Sequence, residues 1–173
     1  MQRAELRKVE TDDVQLIRFW RNQEHVRAQM AQTELIGREG QRTWFKSHHE
    51  KTDRLFIYSY CEKDVGFASI VGINNKEKTF EGGLYCGDLN FLGHWINVWA
   101  CLQIYTQAFN ELGLGTAYAT ILNSNSKALR LNKALGYKFS ELQGDGVGRY
   151  ILTKENFEAK SGKLNRYIHN FVK

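Results

Sequence analysis

The chain has no proline and only three cysteines, Cys61, Cys86 and Cys101. The missing proline carries no functional reading. The cysteines are odd in number and lack the spacing of metal ligands, so reduced thiols and no metal are expected. There is no run of about 18 apolar residues, which excludes a membrane-spanning helix. The opening MQRAELRKVE lacks the apolar core of a signal peptide. A cytoplasmic protein is the expectation. No short segment is dense in lysine and arginine, which argues against nucleic acid as a partner. The net charge of +5 is diffuse and suits a small anionic ligand. No linker, repeat or low-complexity tract divides the 173 residues, so one domain over 1–173 is expected.

What the chain does have is concentrated between Glu81 and Lys138. Residues 81–86 read as a strand, 87–93 as a glycine-punctuated loop, and 95–112 as a long helix. A strand over 116–122, a capped helix over 124–135 and a strand from Tyr137 follow. A helix linking parallel neighbours is the usual crossover, and a loop entering a helix N-terminus is where anions bind. Alternation along 80–86 places Glu81, Gly83 and Tyr85 on one sheet face and Phe80, Gly82, Leu84 and Cys86 on the other.

Upstream, residues 3–9 alternate as a first strand, and Thr11-Asp12-Asp13 offers a helix cap. Val14, Leu16, Ile17, Phe19 and Trp20 supply the apolar face of the helix that follows, which Arg21-Asn22 ends. A short helix is expected over 23–30 and an amphipathic one over 37–49, with Trp44 and Phe45 buried. Residues 54–60, 64–73 and 79–86 should form an antiparallel meander. A strand over 148–153 should pair with the one beginning at Tyr137. The tail over 161–173 has apolar residues at helical spacing.

The segment Asn123 to Tyr137, NSNSKALRLNKALGY, resembles the N-x-x-S/A-x-x-L-x-x-K-x-G-[FY] pattern of the GNAT superfamily of acyl-CoA-dependent N-acyltransferases. Ala108 to Leu114 resembles the end of that family's central helix. The likeness extends from Leu6 to about Leu152. It implies an α/β (α+β) GNAT fold, a mixed six- to seven-stranded sheet flanked by helices on both faces. It also implies transfer of an acyl group from acyl-CoA to an amine by direct attack on the thioester.

Site residues follow from the resemblance. The CoA pyrophosphate belongs at the loop of Leu92, Gly93, Trp95, Ile96 and Asn97. Gly93 takes the first glycine position there, Trp95 stands at the second, and the usual basic residue is missing. Trp95 reads equally as a core residue. Backbone groups of Leu84 to Cys86 would pair with pantetheine amides and donate to the oxyanion. Asn123, Ser126 and Leu129 would border the pantetheine and adenosine. Glu81 is the candidate base, directly or through water. Asn132 stands where many relatives carry an acidic tyrosine, so Tyr85, Tyr137 or water could protonate the thiolate, or no dedicated acid exists.

F-W-R-N, V-R-x-x-M, W-F-K and E-x-G-L-Y resemble the branch acting on nucleotide-linked deoxyamino sugars for cell-surface glycans. There Arg18, Trp20, Arg21, Asn22, Arg27, Met30 and His49 would hold the sugar nucleotide. Arginine forks suit diphosphates, and aromatic faces suit a base. His48 or His49 could serve as base or sugar contact. The donor is acetyl-CoA or a 3-hydroxyacyl-CoA. Two other readings stay open: a ribosomal-protein-type N-terminal acetyltransferase and a non-catalytic GNAT-fold module. A two-fold dimer is compatible with the fold class and the apolar tail.

Overall fold

A computed structural model describes residues 3–49, 52–144 and 146–171. Among them, seven strands form one sheet in the order β1-β2-β3-β4-β5-β7-β6. The strands are β1 (Ala4–Lys8), β2 (Arg54–Tyr60), β3 (Lys63–Asn74), β4 (Thr79–Cys86), β5 (Thr116–Leu122), β6 (Lys138–Leu142) and β7 (Val147–Thr153). Only the β4–β5 pair is parallel; the others are antiparallel. β7 lies between β5 and β6, so the strand after Tyr137 is an edge strand and does not neighbour β5.

Helices α1 (Val14–Asn22), α2 (Glu24–Arg27) and α3 (Arg38–His49) precede the meander. Asp13 fixes the start of α1. Its carboxylate accepts from the Glu10 N–H at 2.8 Å and from the Arg7 guanidinium at 2.7 and 2.8 Å, and Arg7 also reaches Asp64 at 3.0 Å. Val14, Ile17 and Trp20, spaced three apart, bury one face of α1 against Leu55, Ile57, Phe67 and Phe45. Trp44 is half-buried at the margin of this cluster.

The other sheet face carries the larger core. There α4 (Trp95–Thr106), continuing in a π-turn over Gln107–Glu111, packs with α5 (Ser126–Leu135) and α6 (Lys154–His169). α4 is apolar nearly all round, as a helix sandwiched in a core must be. Phe80, Leu84 and Cys86 point into this core, and Tyr85 points to the α1–α3 cluster, as the alternation of β4 requires. α5 begins two residues later than the sequence suggests, because Asn125 is its cap: the Asn125 side chain accepts from the Ala128 N–H at 3.0 Å. No helix of the described residues is long and apolar enough to cross a membrane.

Candidate active site

β4 and β5 pair at Thr79–Thr116, Phe80–Ala117 and Glu81–Tyr118, and then pair no further. From Gly82 to Cys86, β4 goes on without β5 beside it. Alternate residues of an antiparallel strand turn their N–H and C=O groups to opposite neighbours. The groups of β4 that face β5 are therefore left open to a ligand over this stretch. Gly82 abuts the floor of the gap. A Cβ there would lie 2.3 Å from the Tyr105 hydroxyl, which is hydrogen-bonded to the Tyr137 hydroxyl at 2.8 Å. Burial pushes both tyrosines far above the ordinary phenol range. Each stays protonated and paired, so Tyr137 is not placed to protonate a thiolate.

Glu81 is exposed at the closed end of the gap, where the strands part. It borders a depression of about 560 Å³ lined also by His48, Thr52, Asp53, Val71, Gly72 and Ile73. On its other side lies its partner Tyr118, whose ring carries the Arg149 guanidinium at 4.5 Å. Tyr118 and Arg149 give no motif in the sequence; only the sheet register brings them to Glu81. His49 ends α3, and its side chain lies outside the described residues. The neighbouring His48 lines the depression.

Tyr85 does not belong to the thioester end. Its hydroxyl donates to the Ile17 carbonyl at 3.4 Å and its ring stacks on Phe67 at 5.2 Å, which holds it in the α1–α3 cluster. Asn132 donates from Nδ2 to the Ala128 carbonyl at 2.8 Å, within its own helix. An amide so placed carries no acidic proton. Cys86 is tied down as well. His25 Nε2 lies 3.0 Å from its carbonyl and must be the donor, and its Sγ donates to the Asp88 carbonyl at 3.1 Å. Burial pushes the Cys86 thiol up to about 11.

At the phosphate end, Gly93 is left-handed, with φ 79°. Trp95 and Ile96 are buried. The Trp95 ring turns away from the strand gap and packs against Tyr60, His94 and Phe171. Asn97 is also internal: Nδ2 donates to the carbonyls of Phe91 (2.7 Å) and His94 (3.0 Å), and Oδ1 accepts from the Tyr58 hydroxyl at 2.6 Å. It shapes the loop from beneath. His94 caps α4, its Nδ1 accepting from the Ile96 N–H at 3.3 Å. Lys63 comes to the loop from β3, yet it is paired with Asp88 at 2.7 Å. Leu92 is exposed on the loop. The parted strands thus suit a pantetheine arm, while at the phosphate end Lys63 is already paired and the loop offers its backbone. Asn123 and Ser126 are exposed at the end of β5 and the start of α5, and Leu129 is half-buried one turn on.

The arginines of α1 and α2 hold a strap formed by residues 32–36. Arg21 donates to the Gln32 carbonyl (2.9 Å), Arg27 to Thr33 (3.0 Å) and Arg18 to Ile36 (3.4 Å). Asn22 pairs with both backbone groups of Ile36, at 3.0 and 2.8 Å. Arg18 and Asn22 are thereby occupied. Trp20 cannot offer its face to a base: it is buried against Gly87, where a Cβ would lie 2.2 Å from the ring. Arg21 and Arg27 are different. Arg21 Nη1 and Arg27 Nε are buried and find no acceptor, and no carboxylate among the described residues pairs with either. Burial, with Arg27's charge nearby, holds the Arg21 guanidinium below its ordinary value. Met30 closes the turn after α2, and the adjacent Gln29 carbonyl accepts from Asn125 Nδ2 at 3.4 Å across the mouth of the site.

A family model described as an acetyltransferase (GNAT) domain matches residues 3–138. No curated protein matches the chain. Solved structures share its fold. A Vibrio cholerae spermidine N-acetyltransferase in complex with CoA and spermine superposes with a TM-score of 0.78 at 17% identity, over 90% of this chain and 98% of its own. FdhC, described as a nucleotide-linked sugar GNAT, gives 0.79 at 18% identity, over 94% and 93%. The N-acetyltransferase PseH of Campylobacter jejuni gives 0.64 at 21%, over 87% and 98%.

Proposed function

The chain belongs to the GNAT acetyltransferase family, and from that membership we propose that it acylates the amino group of a nucleotide-linked deoxyamino sugar. GNAT acetyltransferases use acyl-CoA. In this reading the pantetheine arm enters between β4 and β5 beyond Glu81, and the thioester lies near the Gly82–Gly83 pair. Glu81 receives the amine. Asn123, Ser126 and Leu129 border the coenzyme.

The observation that carries the acceptor class is a separation of charge. Glu81 and Asp53 share the depression at one end. Arg21 stands by Tyr85 at the other with Arg27 close to it, and each has a donor lacking an acceptor. Glu81 and Tyr85 are separated by roughly 13 Å of strand, at about 3.3 Å per residue. A buried donor without an acceptor is costly, and an anion from the substrate removes that cost. An acceptor with an amine at one end and phosphates at the other meets both ends. A polyamine such as spermidine would bring its positive charges to the arginines.

The test is release of CoA thiol from acetyl-CoA and 3-hydroxybutanoyl-CoA. The amines are a dTDP-linked 3-amino-3,6-dideoxyhexose, a UDP-linked amino sugar, spermidine and a ribosomal N-terminal peptide. Turnover confined to the sugar nucleotides is expected. Faster turnover of spermidine or the peptide overturns the reading.

A further inference from the structure

We propose that His48, which lines the depression with Glu81, is the catalytic base, and that its Nε2 takes the proton of the acceptor amine. The proposal rests on the acyl-transfer reading above and assigns a proton acceptor within that site.

The tautomer follows from the hydrogen bonds. His48 Nδ1 lies 2.9 Å from the Trp44 carbonyl and 3.1 Å from Ser47 Oγ. Ser47 Oγ spends its own proton on the same carbonyl, at 2.8 Å. Both neighbours therefore present lone pairs to Nδ1, which must carry the hydrogen. A neutral imidazole has a single N–H, so Nε2 is an acceptor. Nε2 sits on the opposite side of the ring from Nδ1. Nδ1 is held to the backbone of α3, and His48 lines the depression together with Glu81. The ring is held by Trp44, at 4.7 Å between centroids and 31° between planes. Ring position and tautomer are both set before a substrate arrives.

The chemistry needs such a group. An amine arrives as an ammonium and cannot attack until it loses a proton. Proton transfer near neutral pH is most efficient to groups that titrate there, and histidine is the side chain of that class. The charged groups facing His48 among the described residues are Glu81 from β4 and Asp53 ahead of β2, both acidic. They favour an ammonium in the depression. The step balances as follows. The ammonium gives one proton to Nε2 and keeps its electron pair. That pair attacks the thioester carbonyl carbon of acyl-CoA, and a nitrogen–carbon bond forms. Collapse of the tetrahedral adduct breaks the carbon–sulfur bond. The second amine proton goes with the departing sulfur, and the imidazolium returns its proton to water. Ammonium and acyl-CoA become amide, CoA thiol and one proton.

Two measurements decide the matter. Long-range ¹H–¹⁵N NMR of the wild type reads the tautomer without any substrate: Nδ1 protonated and Nε2 bare is expected, and a proton on Nε2 overturns the proposal. The second compares His48→Gln with wild type in thiol release, using acetyl-CoA and whichever amine of the panel turns over. A loss of about 100-fold in kcat is expected, with the acidic limb of the pH–rate profile abolished and acetyl-CoA affinity within about 2-fold. A variant within about 3-fold of wild type with the same pH profile overturns the assignment. Wild type that turns over spermidine but no sugar nucleotide overturns the acceptor reading alone, and the His48 comparison is then made with spermidine.

Discussion

Glu81 and Tyr118 are the last residues at which β4 and β5 pair. Their side chains stand on the same sheet face, because register partners in a sheet share a face. Everything proposed for the site depends on this pair being a boundary. Before it the sheet is closed; after it β4 offers unpaired backbone. Glu81→Gln keeps the shape and removes the charge. The expected outcome is a rise of about 10-fold or more in the KM for the acceptor amine, with acyl-CoA affinity unchanged. Calorimetric titration of acetyl-CoA beside a thiol-release assay checks it, and a fall in acetyl-CoA affinity would place Glu81 with the coenzyme.

Gly82 tests the floor of the gap. A methyl group here meets the Tyr105 hydroxyl at 2.3 Å. That hydroxyl cannot retreat freely, since it holds the Tyr137 hydroxyl in a buried pair. Gly82→Ala should destabilise by about 1–3 kcal/mol through overpacking. Tyr105→Phe alone strands the Tyr137 hydroxyl and should cost about 1–3 kcal/mol. The double variant removes the clashing oxygen, so urea unfolding should show less than the sum of the two losses. Additive losses would mean that the alanine strains something other than Tyr105.

How much of this was legible in the sequence differs between fold and site. The bounds of β4 and β5 were readable because strand alternation and flanking glycines mark them locally. The insertion of β7 between β5 and β6 was not, since sequence order says nothing of lateral order in a sheet. Glu81 and the glycine pair were legible as a motif on a strand. That His48 borders the same depression as Glu81 was not, because α3 and β4 are far apart in sequence and the phase of α3 is set by its packing. Trp20 and Trp95 looked like ligand surfaces and are core. Gly87 opposite one and Tyr60 with Phe171 opposite the other decide that, and all lie far away in sequence.

The cysteines give a prediction about reactivity. Cys61 is exposed, whereas burial pushes Cys86 up to about 11 and Cys101 up to about 12. The thiolate is the reactive form, so both inner thiols are protected by protonation, and Cys101 by burial as well. At pH about 8 a disulfide reagent should titrate one thiol rapidly and the other two only as the protein unfolds. A second rapid equivalent would show that the end of β4 opens in solution.

Asp13 gives the pH dependence of stability. The Arg7 guanidinium, bonded to it directly, holds its carboxyl below the usual range. A carboxyl depressed in the folded state contributes stability that is present above its unfolded value, about 3.9. That contribution is lost as pH falls through the folded value. Arg7→Met should therefore lower thermal stability at neutral pH and flatten its decline below pH about 4. Melting curves across that range check it; parallel declines in both proteins would remove Asp13 from the account.

Arg21 and Arg27 bear on the acceptor most directly. Each has a buried donor with no partner, and burial, with Arg27's charge nearby, holds the Arg21 guanidinium below its ordinary value. A ligand that supplies oxygens to both should stabilise the free protein by mass action. Inorganic pyrophosphate is the minimal probe. It should raise the melting temperature of the wild type in a concentration-dependent manner and compete with the sugar nucleotide in the acylation assay. Arg21→Ala and Arg27→Ala should each lose the thermal shift and raise the KM for the sugar nucleotide about 10-fold or more, with acetyl-CoA binding unchanged. Arg21→Lys separates charge from geometry: a lysine restores a positive charge without the planar fork, so it should recover part of the thermal shift and little of the KM. If pyrophosphate instead competes with acetyl-CoA and the arginine variants keep their thermal shift, the anion is binding at the start of α4, and the α1–α2 arginines serve only to hold the strap.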